Sequence, residues 1–183
     1  MSKTVQLSLH KTLLCAVFAF LMFSTSVSAA TDEADISVGM KTLPLLSDAI
    51  TGTTFLAIIY DPSNAASVKE ADGIKSIIDR KLETPDDLKL VGTLVPVGEL
   101  QKLSASKIAF LTGELGSYYN AIGTVSARNH VLTMSTDLGC VQANQCVLGI
   151  TSKPHVQIYF SQGAANAAQI TFGQVFMMLV KKI

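Results

Sequence analysis

The sequence has no tryptophan, only three cysteines, and only 15% charged residues, with acids and bases equal at fourteen each. Each scarcity excludes something. A nucleic-acid binder needs a basic face to neutralise phosphates, and the few cations here are scattered rather than clustered. The short motifs of common chemistries are also missing: there is no G-x-S-x-G elbow, no G-x-x-x-x-G-K-[ST], no G-x-G-x-x-G and no H-E-x-x-H. Ser135, His155 and Asp137 could be assembled on paper into a hydrolytic triad, but those residue types occur by chance in almost any chain. The sequence therefore points away from an enzyme, and it implies no cofactor and no metal.

Long hydrophobic runs are scarce too. The exception, "TLLCAVFAFLMF", covers twelve residues; Lys3, His10 and Lys11 precede it and "STSVSAA" follows. A charged start, an apolar middle and a small-residue exit make a secretory signal peptide over residues 1–29, with cleavage after Ala29. The run falls short of the roughly 20 residues that span a bilayer. Cys15 precedes eight further apolar residues, so it is badly placed for lipidation. The expected mature chain, residues 30–183, is periplasmic, has no transmembrane segment, and at 154 residues has the size of a single α/β domain. Without Lys3 and Lys11, twelve bases face fourteen acids, a net charge of −2.

Export leaves Cys140 and Cys146, and an even pair in an oxidising compartment most simply forms a disulfide. Zinc needs about four ligands, and His130 and His155 are the only histidines that remain. The spacing is also wrong for a C-x-x-C redox motif.

"ATDEAD" at residues 30–35 reads as a frayed terminus, and "ISVGMKTLPLLSDAI" as a short helix broken near Pro44. "TFLAIIY" is apolar without alternation, as in a strand covered on both faces. In the next segment Ser63 or Asn64 can cap a helix whose apolar stripe is Val68, Ala71, Ile74, Ile77 and Ile78. "LKLVGTLVPV", "KIAFLT" and "HVLTMS" read as strands, separated by the helical turn "GELQKLS" and the helix "ELGSYYNAIGTVSARN". Strands alternating with helices imply a mainly parallel sheet in a three-layer α/β sandwich. "CVLGI" and "HVQIYF" should pair as a C-terminal hairpin, followed by the helix "SQGAANAAQI" and a docked helix in "TFGQVFMMLVKKI".

Ligands of open parallel sheets bind beyond the carboxyl ends of the strands. Three polar loops should lie there: "YDPSN", "LTGELG" and "STDLGC". They offer Asp61, Ser63, Asn64, Thr112, Gly113, Ser135, Thr136 and Asp137 as a candidate ligand-binding cluster. The same residue types are favoured at turns and helix caps without any ligand. Tyr118 and Tyr119 sit on the following helix, while Phe172, Phe176, Met177 and Met178 crowd the C-terminal segment as core or as an adaptable partner surface.

Across residues 131–183 the order of features resembles the YfiR-like periplasmic proteins: "VLTMS", a cysteine loop, "CVLGI", and a partner strand running into an alanine-rich segment. Val156, Ile158, Phe160, Ala164, Ala165 and Ile170 match that family's "v.f.in..aA..agl" run. The chain also resembles one lobe of a periplasmic substrate-binding protein. The first resemblance implies a non-enzymatic regulator acting through an inner-membrane partner such as a diguanylate cyclase; this chain has one cysteine pair where that pattern has two. The second implies the solute-binding component of an ABC-type transport system with a small-molecule ligand.

Overall fold

The computed structural model describes residues 31–80 and 87–183, so the expected leader and its cleavage point after Ala29 lie outside the described residues. Among the described residues seven strands, β1 (Gly52–Tyr60), β2 (Leu88–Pro96), β3 (Ile108–Leu111), β4 (Leu132–Ser135), β5 (Leu148–Thr151), β6 (Gln157–Phe160) and β7 (Lys181–Lys182), form one sheet in the order β2-β1-β3-β4-β5-β6-β7. The pairings from β2 through to β5 are parallel, β5 and β6 form the antiparallel hairpin, and β7 adds a short parallel edge. The helices are α1 (Glu33–Met40), α2 (Ala65–Asp79), α3 (Tyr119–Arg128), α4 (Leu138–Gln142), α5 (Gln162–Ala168) and α6 (Gln174–Leu179), with 3₁₀ turns at Leu43–Leu45, Val97–Ala105 and Gly116–Tyr118. Among the described residues no helix is long and apolar enough to cross a membrane.

The unbroken apolar run of β1 has a direct physical reason. Its central residues Leu56 to Ile59 are all 0% exposed because both faces of the sheet are covered. Leu56 and Ile58 join Ile108, Phe110, Ile36 of α1 and Ile74 of α2 on one face. Ala57 and Ile59 join Ala109, Leu111, Leu103 and Ile122 of α3 on the other. Two cores flanking one sheet make the three-layer arrangement, and each large aliphatic side chain buried there contributes about 1.5 to 3 kcal/mol of transfer free energy.

Two terminal expectations are corrected. Residues 31–35 are not frayed: Asp32 caps α1 by accepting from Asp35 N at 3.1 Å, and the Asp35 side chain accepts from Asp32 N at 3.0 Å. This reciprocal box satisfies two amides that would otherwise be orphaned at the helix start. At the other end, the expected long docked helix is only the six residues of α6. Gly173 is extended before it and Val180 is extended after it, and the chain then pairs with β6 through β7. Phe176 anchors the segment, stacking on Phe172 at 3.8 Å and meeting Phe160 edge-on at 5.5 Å. Met178 turns outward and is 78% exposed.

Candidate functional site

After β1 the chain moves to the outer strand β2, then returns to place β3 on the other side of β1. Connections therefore diverge between the carboxyl ends of β1 and β3, the switch point at which such sheets form a crevice. The loop after β1 is folded by its own side chains. Asp61 accepts from Ser63 N at 2.9 Å and from Ser63 Oγ at 2.7 Å. The Ser63 hydroxyl, then its amide, hold the Asp61 carboxyl below the usual value. Asn64 Oδ1 caps α2 by accepting from Ala66 N at 2.9 Å and Ser67 N at 3.3 Å. Its Nδ2 donates to Glu114 Oε2 at 2.7 Å, joining the two loops.

Deeper in the crevice, Thr112 is fully buried, with Oγ1 donating to Ile59 O at 3.2 Å and lying 2.7 Å from Ser67 Oγ. Gly113 N donates to Glu70 Oε2 at 2.9 Å, and Thr31 N donates to Glu70 Oε1 at 3.1 Å. The Thr31 hydroxyl also donates to Glu70, and it lies 2.8 Å from Thr136 Oγ1. Thr31, Ser67, Glu70, Gly113 and Glu114, with Lys69 beside them, line a crevice of about 320 Å³.

The structure thus brings Asp61, Ser63, Asn64, Thr112, Gly113 and Thr136 to one edge, mostly bonded to one another or to α2. Ser135 and Asp137 serve the neighbouring turn instead. Ser135 Oγ donates to Leu111 O at 3.4 Å and accepts from Asp137 N at 3.0 Å. Asp137 caps α4 at Gly139 N, 2.9 Å away, and receives the Tyr119 hydroxyl. Burial first, and then the Asp137 carboxylate, push the Tyr119 hydroxyl well above its ordinary value. Among the described residues no histidine bonds to Ser135, and His155 lies exposed in the β5–β6 turn. Below this edge the Cys140 and Cys146 sulfurs lie at bonding distance, with Cα atoms 5.3 Å apart and both residues buried.

Sequence reasoning missed Thr31, Ser67, Glu70 and Glu114. Ser67 carried a signal: it continues the stripe Ala71, Ile74, Ile78 backwards by four residues, so a hydroxyl occupies a position whose geometry faces the sheet. Glu70 carried none, since its partners are 39 and 43 residues away. A larger cavity of about 560 Å³ lies at the opposite, amino end of the strands, away from the cluster named from sequence.

No protein-family model matches the chain, and no curated protein matches it. Solved structures do. A conserved domain protein from Vibrio cholerae O1 biovar El Tor aligns at TM-score 0.59 and 12% identity, over 82% of this chain and 59% of that one. The ligand-free, open structure of CD0873, a substrate binding protein with adhesive properties from Clostridium difficile, aligns at TM-score 0.57 and 10% identity, over 81% and 58%. The ABC domain in complex with L-Trp from Streptococcus pneumonia aligns at TM-score 0.58 and 9% identity, over 82% and 62%. The chain spans about 60% of the length of each of these. At such identity the likeness is one of fold: a mostly parallel α/β lobe of the periplasmic-binding-protein-like kind.

Proposed function

We propose that this chain is an exported, periplasmic, non-enzymatic binding protein whose switch-point crevice takes a small amine-bearing solute of the amino-acid class. The observation that carries this reading is the 320 Å³ crevice between the β1 and β3 loops, within the range usual for small-molecule sites. Its carboxylates suit an ammonium group. Glu70 Oε2 accepts one hydrogen bond, from Gly113, and a carboxylate oxygen has room for two. Glu114 is exposed beside it, and Lys69 at the rim suits a solute carboxylate. The neighbours support the class: one is named a substrate binding protein and another is in complex with L-Trp. A component of an ABC-type transport system would use such a site.

Calorimetric titration of L-tryptophan and L-lysine into the purified protein tests this. Saturable heat that weakens about tenfold in Glu114→Gln, the scale of one charge-assisted hydrogen bond, supports it. Absence of heat with both amino acids sinks it.

A second reading, regulation of a membrane partner such as a diguanylate cyclase in the YfiR manner, is favoured by a different observation. Val175, Met178, Leu179 and Ile183 expose 56%, 78%, 61% and 45% of their surface near the chain end. A photo-crosslinker at position 178 that captures a membrane cyclase would select this reading over solute binding.

A further inference from the structure

The cavity at the amino ends of β1, β3 and β4 belongs to neither reading. It encloses about 560 Å³ between two chain segments that are tied together. Ser47 N donates to Thr171 O at 2.9 Å, Gly173 N donates to Leu45 O at 2.9 Å, and Leu46 bridges Phe172, so the stretch before β1 and the stretch after α5 form fixed opposing walls. The start of β1 contributes Phe55, which remains 46% exposed although the next four residues of the strand are wholly buried. Ile50 and Ile170 add apolar surface from the two walls.

Besides several threonines and Gln169, the cavity takes two basic side chains. Lys107 immediately precedes β3, His130 lies just before β4, and both line the cavity. The Lys107 side chain makes no ion pair or hydrogen bond with any described residue. His130 is held in the left-handed region at φ 55°, as is Gln169 at φ 57°, a conformation few non-glycine residues adopt. The turn brings His130 Nδ1 within 3.2 Å of Ala168 O. A carbonyl oxygen only accepts, so Nδ1 carries the hydrogen and Nε2 is left for a ligand or solvent. Asp48 lines the same cavity and disfavours a second negative charge.

We propose that this amino-edge cavity is a binding site for a small amphipathic monocarboxylate, whose carboxylate meets Lys107 and whose aromatic or branched body lies on Phe55, Ile50 and Ile170, with His130 Nε2 left as an acceptor on the cavity wall. The volume lies within the range of about 300 to 1,000 Å³ typical of small-molecule sites. A lysine with no side-chain partner among the described residues and an exposed aromatic ring supply the polar anchor and the apolar floor such sites combine. The site is separate from the switch-point crevice, at the other end of the same strands.

Phenylacetate and 3-methylbutanoate are titrated into the ¹⁵N-labelled protein, with 2-phenylethanol as the uncharged counterpart, while amide shifts are followed. The expected result is saturable movement of the Thr53, Phe55, Lys107 and His130 amides with at least one carboxylate, and little movement of Gly113 and Glu114. Lys107→Met should weaken that binding about fivefold, the scale of one partly exposed ion pair. Phe55→Ala should weaken it while leaving the dispersed spectrum of a folded protein. Equal binding of 2-phenylethanol, movement centred on Gly113, or no saturable movement with either acid at millimolar concentration would each overturn the proposal.

Discussion

Ser67 Oγ and Thr112 Oγ1 lie 2.7 Å apart in the buried interior of the crevice, and the direction of the bond between them is fixed by their other partners. Thr112 gives its hydrogen to Ile59 O, and Asp61 N donates to Ser67 Oγ at 2.9 Å. Ser67 must therefore donate to Thr112. The result is a chain from Asp61 N–H through two hydroxyls to the Ile59 carbonyl, in which each bond polarises the next. It joins the start of α2 to the ends of β1 and β3 at the place where the strand order reverses.

Thr112→Val should accordingly lower unfolding free energy by about 1 to 3 kcal/mol, because it leaves the Ser67 hydrogen without its acceptor in a dry site. Ser67→Ala should fall in the same range, since Asp61 N then loses its acceptor. Together the two should cost less than their sum, by at least about 0.5 kcal/mol, as is usual within one network. Urea denaturation of the wild type, both single variants and the double variant measures this. Strict additivity would show that the hydroxyls are satisfied independently.

Tyr119 gives a second handle, through pH. Its hydroxyl is buried against Asp137, and both features raise its pKa in the folded protein. A raised folded value means that the native state holds the proton more tightly. The stabilisation is complete below the unfolded tyrosine pKa of about 10 and is lost as pH rises above that value. The wild type should lose stability between neutral pH and about pH 11 more steeply than Tyr119→Phe, which lacks the group. Matching slopes in urea melts at both pH values would rule this out.

The acid side has its own test in Asp32. A hydrogen bond from Lys153 Nζ at 2.5 Å, followed by the Asp35 amide, lowers the Asp32 pKa. A lowered folded value gives stability that is present above the unfolded carboxyl value of about 3.9 and is lost as pH falls through the folded one. Asp32→Ala should cost about 1 kcal/mol at pH 7, a typical N-cap effect, with the exposed lysine adding little. The cost should shrink when the same melts are run near pH 2, where both forms lack the charge. An undiminished cost at that pH would assign the effect to something other than the charged cap.

These contacts mark the limit of what the sequence made legible. Leu56 to Ile59 announced a central strand because burial on both faces requires an uninterrupted apolar run, and Asn64 announced a helix start because capping chemistry is local. The hairpin of β5 and β6 was legible for the same local reason. Helix α4 was not, since five residues are too few to show a period and "STDLGC" carries the composition of a turn. Nor was the ordered terminus. Thr31 is fixed by Glu70 and Thr136, and Ser152 N donates to Asp35 at 3.0 Å, contacts spanning 39, 105 and 117 residues that no local pattern encodes. The candidate cluster was legible as loops at one edge. Which side chains would consume one another's hydrogen bonds depended on α2, whose Ser67 and Glu70 point the crevice inward.

The cysteine pair allows the two proposed functions to be separated from stability. Cys140 and Cys146 are buried while Gln142, Ala143 and Asn144 between them are exposed, so the link would fix the shape of a small surface loop from below. Alkylation followed by intact-mass measurement of residues 30–183, purified without reductant, should find no free thiol until a reductant is added. Closing a loop this short removes about 2 kcal/mol of chain entropy from the unfolded state. Replacement of both cysteines by alanine, rather than serine, avoids burying two unpaired hydroxyls and should lower stability by about that amount with the sheet intact. Under the solute reading, amino-acid binding at the β1–β3 crevice should survive this change, because the crevice is lined by α2 and the two loops rather than by α4. Under the regulator reading, if the partner contacts this loop as well as the patch of Val175, Met178, Leu179 and Ile183, its capture should weaken, because flexible side chains then have to be ordered at a cost of about 0.5 to 1.5 kcal/mol each. A double-alanine variant that loses solute binding but keeps partner capture would contradict both assignments.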